Sequence, residues 1–332
     1  MTTFNAFRIH SDEQGYRAGL EPMTIDQLSP GEVVIRVAYS SVNYKDALAG
    51  TGRGKILRQF PLNGGIDVAG YVVASSDPQF REGDAVLCTG SGLSETRDGG
   101  YAQFARLQSE WTIRLPEGMT LREAMILGTA GFTAALALFR MIENRQSPTM
   151  GPLAVTGATG GVGSMACAIF SQAGFDVCAI SGKPEQADYL RSLGATEIVG
   201  REALNTQRPM ESARFGGGLD NVGGPMLASL IAQTAPYGNV ASAGLAATAD
   251  LPITVMPFII RGVSLLGVAS AGTARDIRDA IWERLAGPWK PRQLDAMCTQ
   301  EVTLETLPSV FERMLAGGSL GRTLIRIDES LP

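Results

Sequence analysis

The chain has 332 residues, 45 % of them hydrophobic, a length and composition that suit two domains with a core in each. It contains 40 glycines, about 12 % against an average near 7 %, but only one histidine, His10. That scarcity argues against a His-Cys zinc cage, a Ser-His-Asp triad and a Cys-His pair, which all need imidazole beside the reacting atom, while a formal net charge of −5 without a lysine-arginine block argues against a nucleic-acid partner.

The start of the chain, residues 1–13, lacks a basic patch followed by an apolar run and does not read as a signal peptide. Residues 32–40, 67–75 and 85–89 are rich in valine and other strand formers and are separated by glycine turns, which predicts a small barrel-like β domain. From 121 to 139 the apolar spacing becomes helical. Thr120 is placed to cap that helix and Glu123 to close a capping box, with a domain boundary expected at 118–125.

Strands are then expected at 153–156, 176–180, 197–199, 219–222, 239–242 and 263–268, with helices at 162–173, 185–193 and 225–233 between them. This alternation predicts a doubly wound parallel sheet with crossover helices. A helix over 274–285 leads out of it, and 322–327 reads as a strand returning to the first domain. Two uncharged stretches, 146–175 and 221–249, are broken by glycine, proline, serine and threonine and are not read as membrane spans. Cys88, Cys167, Cys178 and Cys298 share no metal or redox spacing, so free thiols in a reducing, cytoplasmic setting are expected.

The segment Thr156-Gly157-Ala158-Thr159-Gly160-Gly161-Val162-Gly163 follows an apolar strand and opens a helix, the context that makes a glycine pattern a dinucleotide site. Gly160 would let the backbone approach a pyrophosphate, Gly163 would let the helix pack on the strand, and the N–H groups of Thr159, Gly160, Gly161 and Val162 would meet the anion. Position 158 holds alanine where a strict GxGxxG pattern has glycine. At the end of the second strand, where NAD sites place a carboxylate, the chain has Ser181-Gly182-Lys183, with Arg201 past the third strand. A hydroxyl, a glycine and two cations suit a 2′-phosphate, so the expected cofactor is NADPH.

The run Gly65-Ile66-Asp67-Val68-Ala69-Gly70, followed by Gly83-Asp84, resembles the signature of the medium-chain dehydrogenase/reductase superfamily, with Ile66 where its zinc enzymes carry histidine. Isoleucine cannot ligate zinc, so no metal is expected. The zinc-independent quinone oxidoreductase-like branch is similar over nearly the whole length. It is matched by Ser41-Val42-Asn43-Tyr44-Lys45-Asp46, Asp98-Gly99-Gly100-Tyr101-Ala102, Asp220-Asn221-Val222-Gly223-Gly224 and Gly321-Arg322-Thr323. The stretches Asn43 to Leu48, Ser181 to Lys183 and Pro257 to Gly267 resemble its bacterial acrylyl-CoA reductase subgroup.

That resemblance implies an α/β architecture in which a Rossmann domain, 125–272, is inserted into a GroES-like catalytic domain made of 1–124 and 273–332. It carries cofactor contacts over to Tyr44, to Thr159, Gly160, Gly161 and Val162, to Ser181, Gly182 and Lys183, and to Arg201, Leu245, Ile259, Ser270 and Ala316. The implied reaction reduces acrylyl-CoA to propionyl-CoA, with a quinone or a free enal as alternative acceptor and a non-catalytic NADPH-binding protein as the alternative class. Tyr44 is the candidate proton donor or orienting group, and Asn43 a candidate donor to the substrate carbonyl. The tyrosine that related thioester reductases use some ten residues further on is absent, since 51–55 reads Thr-Gly-Arg-Gly-Lys. Arg53, Lys55 and Arg58 are candidates to meet the phosphates of coenzyme A. The apolar stretch 263–268 would leave an open sheet edge, which a homodimer would cover.

Overall fold

The computed structural model describes residues 3–206 and 208–331. In chain order the elements begin with β1 (Thr3–Asp12), β2 (Gly15–Thr24), β3 (Val33–Val42), α1 (Tyr44–Thr51), β4 (Leu62–Asn63), β5 (Asp67–Ser75), β6 (Ala85–Thr89), β7 (Phe104–Leu107), β8 (Ile113–Arg114) and α2 (Leu121–Glu143). Next come β9 (Leu153–Thr156), α3 (Gly161–Gln172), β10 (Val177–Ile180), α4 (Ala187–Ser192), β11 (Glu197–Val199), β12 (Phe215–Asp220), α5 (Gly224–Ala232), β13 (Thr234–Ser242), α6 (Met256–Arg261) and β14 (Ser264–Gly267). The chain closes with α7 (Arg275–Ala286), α8 (Leu294–Met297), β15 (Cys298–Val302), α9 (Leu307–Leu315) and β16 (Arg322–Arg326).

Two compact units divide these elements: Met1–Thr129 with Ala271–Ala280 and Leu294–Pro332, and Ala130–Ser270 with Ile281–Gln293. In the first, the described residues form a sheet in the order β15-β16-β3-β5-β6-β8, with β7 also paired to β3, and a smaller sheet β2-β1-β4. Alternating burial along β1 and β3 points Phe7, Ile9, Val33, Ile35 and Val37 inward. The late strand β16 pairs antiparallel with β3, Thr323 opposite Val42, so the C-terminal segment completes the sheet begun some 280 residues earlier. The strand expected at 322–327 is thus present and returns to the first unit as anticipated, whereas the β1-β2 hairpin, α1, α6 and α9 lie outside the sequence expectations.

In the second unit, the described residues form a parallel sheet in the order β11-β10-β9-β12-β13-β14. This is the 3-2-1-4-5-6 order of a doubly wound fold, whose ligand crevice opens where the order reverses, between β9 and β12. Strand β12 begins at Phe215 and ends at Asp220, earlier than the expected 219–222. Its glycines mask it in sequence, yet they are what the packing of the sheet requires: a Cβ on Gly217 would stand 2.3 Å from the Asn239 carbonyl oxygen, and one on Gly218 2.4 Å from that of Ala154.

Helix α2 is long and apolar enough to cross a membrane, but 78 % of its most apolar stretch is buried inside the fold, as in a core helix. The capping box expected at its start is formed, with Glu123 Oε2 accepting from the Thr120 N–H at 2.9 Å and Thr120 Oγ1 from the Glu123 N–H at 3.1 Å. The helix is broken at Gly128, whose φ of 49° and ψ of −155° only glycine adopts readily. All four cysteines are free, and burial pushes the Cys167 and Cys178 thiols up to about 12.

Candidate functional site

The glycine turn joins β9 to α3 at the crevice of the second unit. Gly157 has φ 60°, a left-handed conformation. A Cβ on Gly163 would stand 2.2 Å from the Gly157 carbonyl oxygen and 2.7 Å from the Ala158 Cα, so this glycine is what lets the first turn of α3 lie on the strand end. Gly160 is different: a Cβ there would meet only the Gly157 oxygen, at 3.4 Å, so protein packing leaves room for a side chain and the space belongs to whatever approaches the turn. The alanine at 158 is explained by its place. It is fully buried, its N–H donates to the Ile180 carbonyl at 3.2 Å, and it seals the ends of β9 and β10 together. Gly160 is the N-cap of α3 and offers no side-chain acceptor, so the first N–H groups of the helix are left to an anion.

The adjoining strand end is held by the buried carboxylate of Asp220, which opens the Asp220–Gly224 motif and whose bonding role the motif alone does not reveal. The Thr156 hydroxyl donates to Asp220 Oδ1 at 2.7 Å, and the Val222 and Gly223 N–H groups donate to Oδ2 at 3.2 and 2.6 Å. Asn221 Nδ2 returns to the Thr156 carbonyl at 2.8 Å. Burial raises the Asp220 carboxyl, and these three donors oppose it. The loop after β13 is stitched to the same turn by Ala246 and Ala247 N–H groups donating to Asn221 and Val222. This places Leu245, 67 % exposed, beside Gly223. Ser270 follows β14 at the same end of the sheet.

At the end of β10, Ser181 Oγ accepts from the Lys183 N–H at 3.1 Å, and the Ser181 N–H donates to the Val199 carbonyl of β11 at 3.1 Å. A Cβ on Gly182 would lie 2.6 Å from Nε and 2.9 Å from Cζ of Arg201, so the guanidinium of Arg201 covers this glycine. The Ser181 hydroxyl and the Arg201 guanidinium thus meet at the strand end that also carries Lys183, a set of residues that fits the dianionic phosphate of NADPH better than a ribose hydroxyl. Ile259 does not join them. It lies on α6, 76 % exposed, and the last residue of that helix, Arg261, donates to the Ala232 and Thr234 carbonyls where β13 begins. These bonds anchor the last residue of α6, while the exposed side chain of Ile259, two residues earlier, is left open to a ligand.

In the first unit, Tyr44 is the first residue of α1 and is 47 % exposed. Asn43, its N-cap, is buried and its amide is fully committed. Nδ2 donates to Asp67 Oδ2 at 2.7 Å and to Asp46 Oδ2 at 3.2 Å, and Oδ1 accepts from Arg322 Nη1 at 3.2 Å. The expectation that Asn43 donates to a substrate carbonyl is corrected on that ground, because both amide protons are already spent. Arg53 forms an exposed ion pair with Glu312 at 2.8 Å, while Lys55 and Arg58 are exposed. Ala316 caps the end of α9, exposed, with only backbone to offer. Ile66, in the zinc histidine's place, is buried, and its N–H donates to Asp46 Oδ1 at 3.0 Å. Among the described residues no group of three or more His, Cys, Asp or Glu could hold a metal.

A model of the alcohol dehydrogenase GroES-like domain matches residues 29–117, and one of the zinc-binding dehydrogenases matches 161–286. The chain is 43 % identical to Acrylyl-CoA reductase AcuI of Ruegeria pomeroyi, covering 98 % of this chain and 99 % of that one. It is 42 % identical to Putative quinone oxidoreductase YhfP of Bacillus subtilis over 98 % and 99 % of the two chains. It superposes with a TM-score of 0.94 on the yhdH oxidoreductase of Salmonella enterica solved in complex with NADP, at 42 % identity over 98 % of this chain and all of that one.

Proposed function

The chain belongs to the medium-chain dehydrogenase/reductase superfamily, and from that premise we propose that it is a zinc-independent, NADPH-dependent reductase that converts acrylyl-CoA to propionyl-CoA. The observation that carries the cofactor choice is the end of β10, where residues 181–183 read Ser-Gly-Lys, without a carboxylate among them, and the Arg201 guanidinium covers Gly182. The choice of acyl substrate is supported by likeness to AcuI over nearly the full length of both chains.

NADPH, when bound, supplies the hydride that reaches the β-carbon of the unsaturated thioester. The turn of Thr159, Gly160, Gly161 and Val162 would hold its pyrophosphate, and Ser181, Gly182, Lys183 and Arg201 its 2′-phosphate. Leu245 and Ser270, at the carboxyl end of the sheet, would border the nicotinamide, and Ala316 would add only a backbone contact. In the GroES-like catalytic unit the exposed phenol of Tyr44 would hold the proton that the α-carbon takes up as the enolate electron pair returns. Lys55 and Arg58 would meet the phosphates of the coenzyme A moiety. The open edge of β14, flanked by exposed Tyr237, Val255, Ile259, Ile260 and Leu265, supports a homodimer formed by two such edges.

The decisive experiment follows NADPH consumption with acrylyl-CoA, a free enal and a simple quinone. A kcat/KM highest for acrylyl-CoA is expected; a quinone preferred over the thioester would move the assignment to the activity named for YhfP. Light scattering at micromolar concentration checks the dimer, which a monomeric mass would refute.

A further inference from the structure

Tyr44 opens α1 at the surface, and the same first turn carries a buried carboxylate. Asp46, two residues on, is 2 % exposed. Its Oδ1 accepts from the Ile66 N–H at 3.0 Å, and its Oδ2 from the Asn43 N–H at 2.9 Å and from Asn43 Nδ2 at 3.2 Å, the reaching-back half of a capping box. Asn43 then passes to Asp67 and Arg322. Asp67 Oδ2 also accepts from the Ser41 hydroxyl at 2.6 Å, and Asp67 Oδ1 from the Thr129 hydroxyl at 2.6 Å. Arg322 donates to the Ile126 and Val42 carbonyls at 2.9 and 3.1 Å and lies 3.9 Å from Asp67.

An eight-residue helix needs no such apparatus. An exposed Asp or Glu at the same position would cap it equally well, whereas a second carboxylate buried beside Asp67 costs stability. We propose that Asp46 is a positioning residue for Tyr44: acting through Asn43, Asp67 and Arg322, its carboxylate holds the first turn of α1 so that the phenol is presented in one orientation. The inference rests on Tyr44 being the proton-bearing group of the proposed reaction.

The groups that face Asp46 are Asn43 and the Ile66 N–H, Asp67 at the start of β5, Tyr101 on the segment before β7, and Arg322 on β16 behind Asp67. Burial and the charge of Asp67 push the Asp46 carboxyl up to about 7 against its N–H donors. Tyr101 donates to the Ser41 carbonyl at 3.1 Å, and burial pushes its phenol far up, so it stays neutral. Near neutrality Asp46 therefore exchanges between a charged form that accepts from all its donors and a protonated form that has given up part of that acceptance. The share of correctly held Tyr44 falls as pH drops through about 7. Stability runs the other way: a carboxyl raised from 3.8 to about 7 stabilises the fold below the lower value, and that contribution is lost as pH rises through the upper one.

The test is Asp46→Asn in the full chain with saturating NADPH. At alkaline pH kcat is expected to fall, by up to about 100-fold, while KM and NADPH affinity stay at wild-type values and the acid limb of kcat near pH 7 disappears. Thermal stability relative to wild type should rise as pH rises from about 4 to about 7, as it would for any buried carboxyl, so the loss of kcat and of its acid limb is the readout that a merely structural cap would not produce. Tyr44→Phe separates the two failures. Full activity in Tyr44→Phe removes the reading of Tyr44. An impaired Tyr44→Phe beside an Asp46→Asn with unchanged kcat and pH profile overturns the positioning role alone. Should Asp46→Asn not fold, Asn43→Ser keeps a good N-cap but cuts the link to Asp67 and Arg322. A loss of kcat at constant KM is expected there too, and an unchanged kcat overturns the proposal.

Discussion

The glycine turn before α3 and the first turn of α1 are both helix N-termini, built by opposite means. At α3 the cap is a glycine without a side chain, the packing is backbone on backbone, and the leading N–H groups stay available to an anion. At α1 the cap is a buried asparagine held between two carboxylates and a guanidinium, and what is left exposed is a single side chain, Tyr44. Each arrangement suits a different task. A pyrophosphate is bound by a row of dipoles that any backbone can supply, whereas a proton must be held at one atom, and that takes side chains held by other side chains.

If this contrast is right, damage to the two termini should differ in kind and size. The largest effect is expected from Arg322→Met, which leaves Asp67 buried without its cation and should destabilise the first unit by about 3–5 kcal/mol. Chemical denaturation measures it, and a loss under about 1 kcal/mol would mean the network is dispensable. Next, Lys183→Ala should weaken NADPH binding by about 1.5–3 kcal/mol, the range for a charge-assisted hydrogen bond, and leave NADH nearly unchanged in titration calorimetry. Equal losses for both cofactors would show that the lysine does not read the phosphate.

Gly163→Ala forces a Cβ to within 2.2 Å of the Gly157 oxygen, and a cost of about 1–3 kcal/mol is expected. It should appear as weaker binding of both cofactors, because the turn itself moves. Gly160→Ala, with no close protein neighbour, should spare stability and harm binding alone. The smallest effect belongs to Thr120→Ala, which removes an exposed capping box and should cost about 1 kcal/mol in a thermal melt without touching kinetics.

The two termini also differ in how far they were legible. Strands β9 and β11 and the glycine turn could be read residue by residue, since apolar runs, tight turns and crossover helices are local patterns. The Thr120 box and the crowding at Gly163 follow equally from neighbours in sequence. By contrast, Asn43-x-x-Asp46 carries a capping pattern that could have been noticed, but nothing local marks Asp67 or Arg322 as its partners. The residue type alone allows Asn43 to donate to a substrate carbonyl, and only the fold shows where its amide protons go.

From sequence alone came the superfamily, the parallel sheet with its dinucleotide turn, the absence of a carboxylate at the end of β10 and the isoleucine in the zinc position. All of these depend on residue types within a few positions of one another. The tertiary structure alone decided what holds Tyr44 in place, because Ser41, Asp67, Thr129 and Arg322 lie up to 281 residues apart and meet only when β16 closes against β3. A buried charge can be tolerated only where distant partners converge on it, and no local pattern reports that convergence.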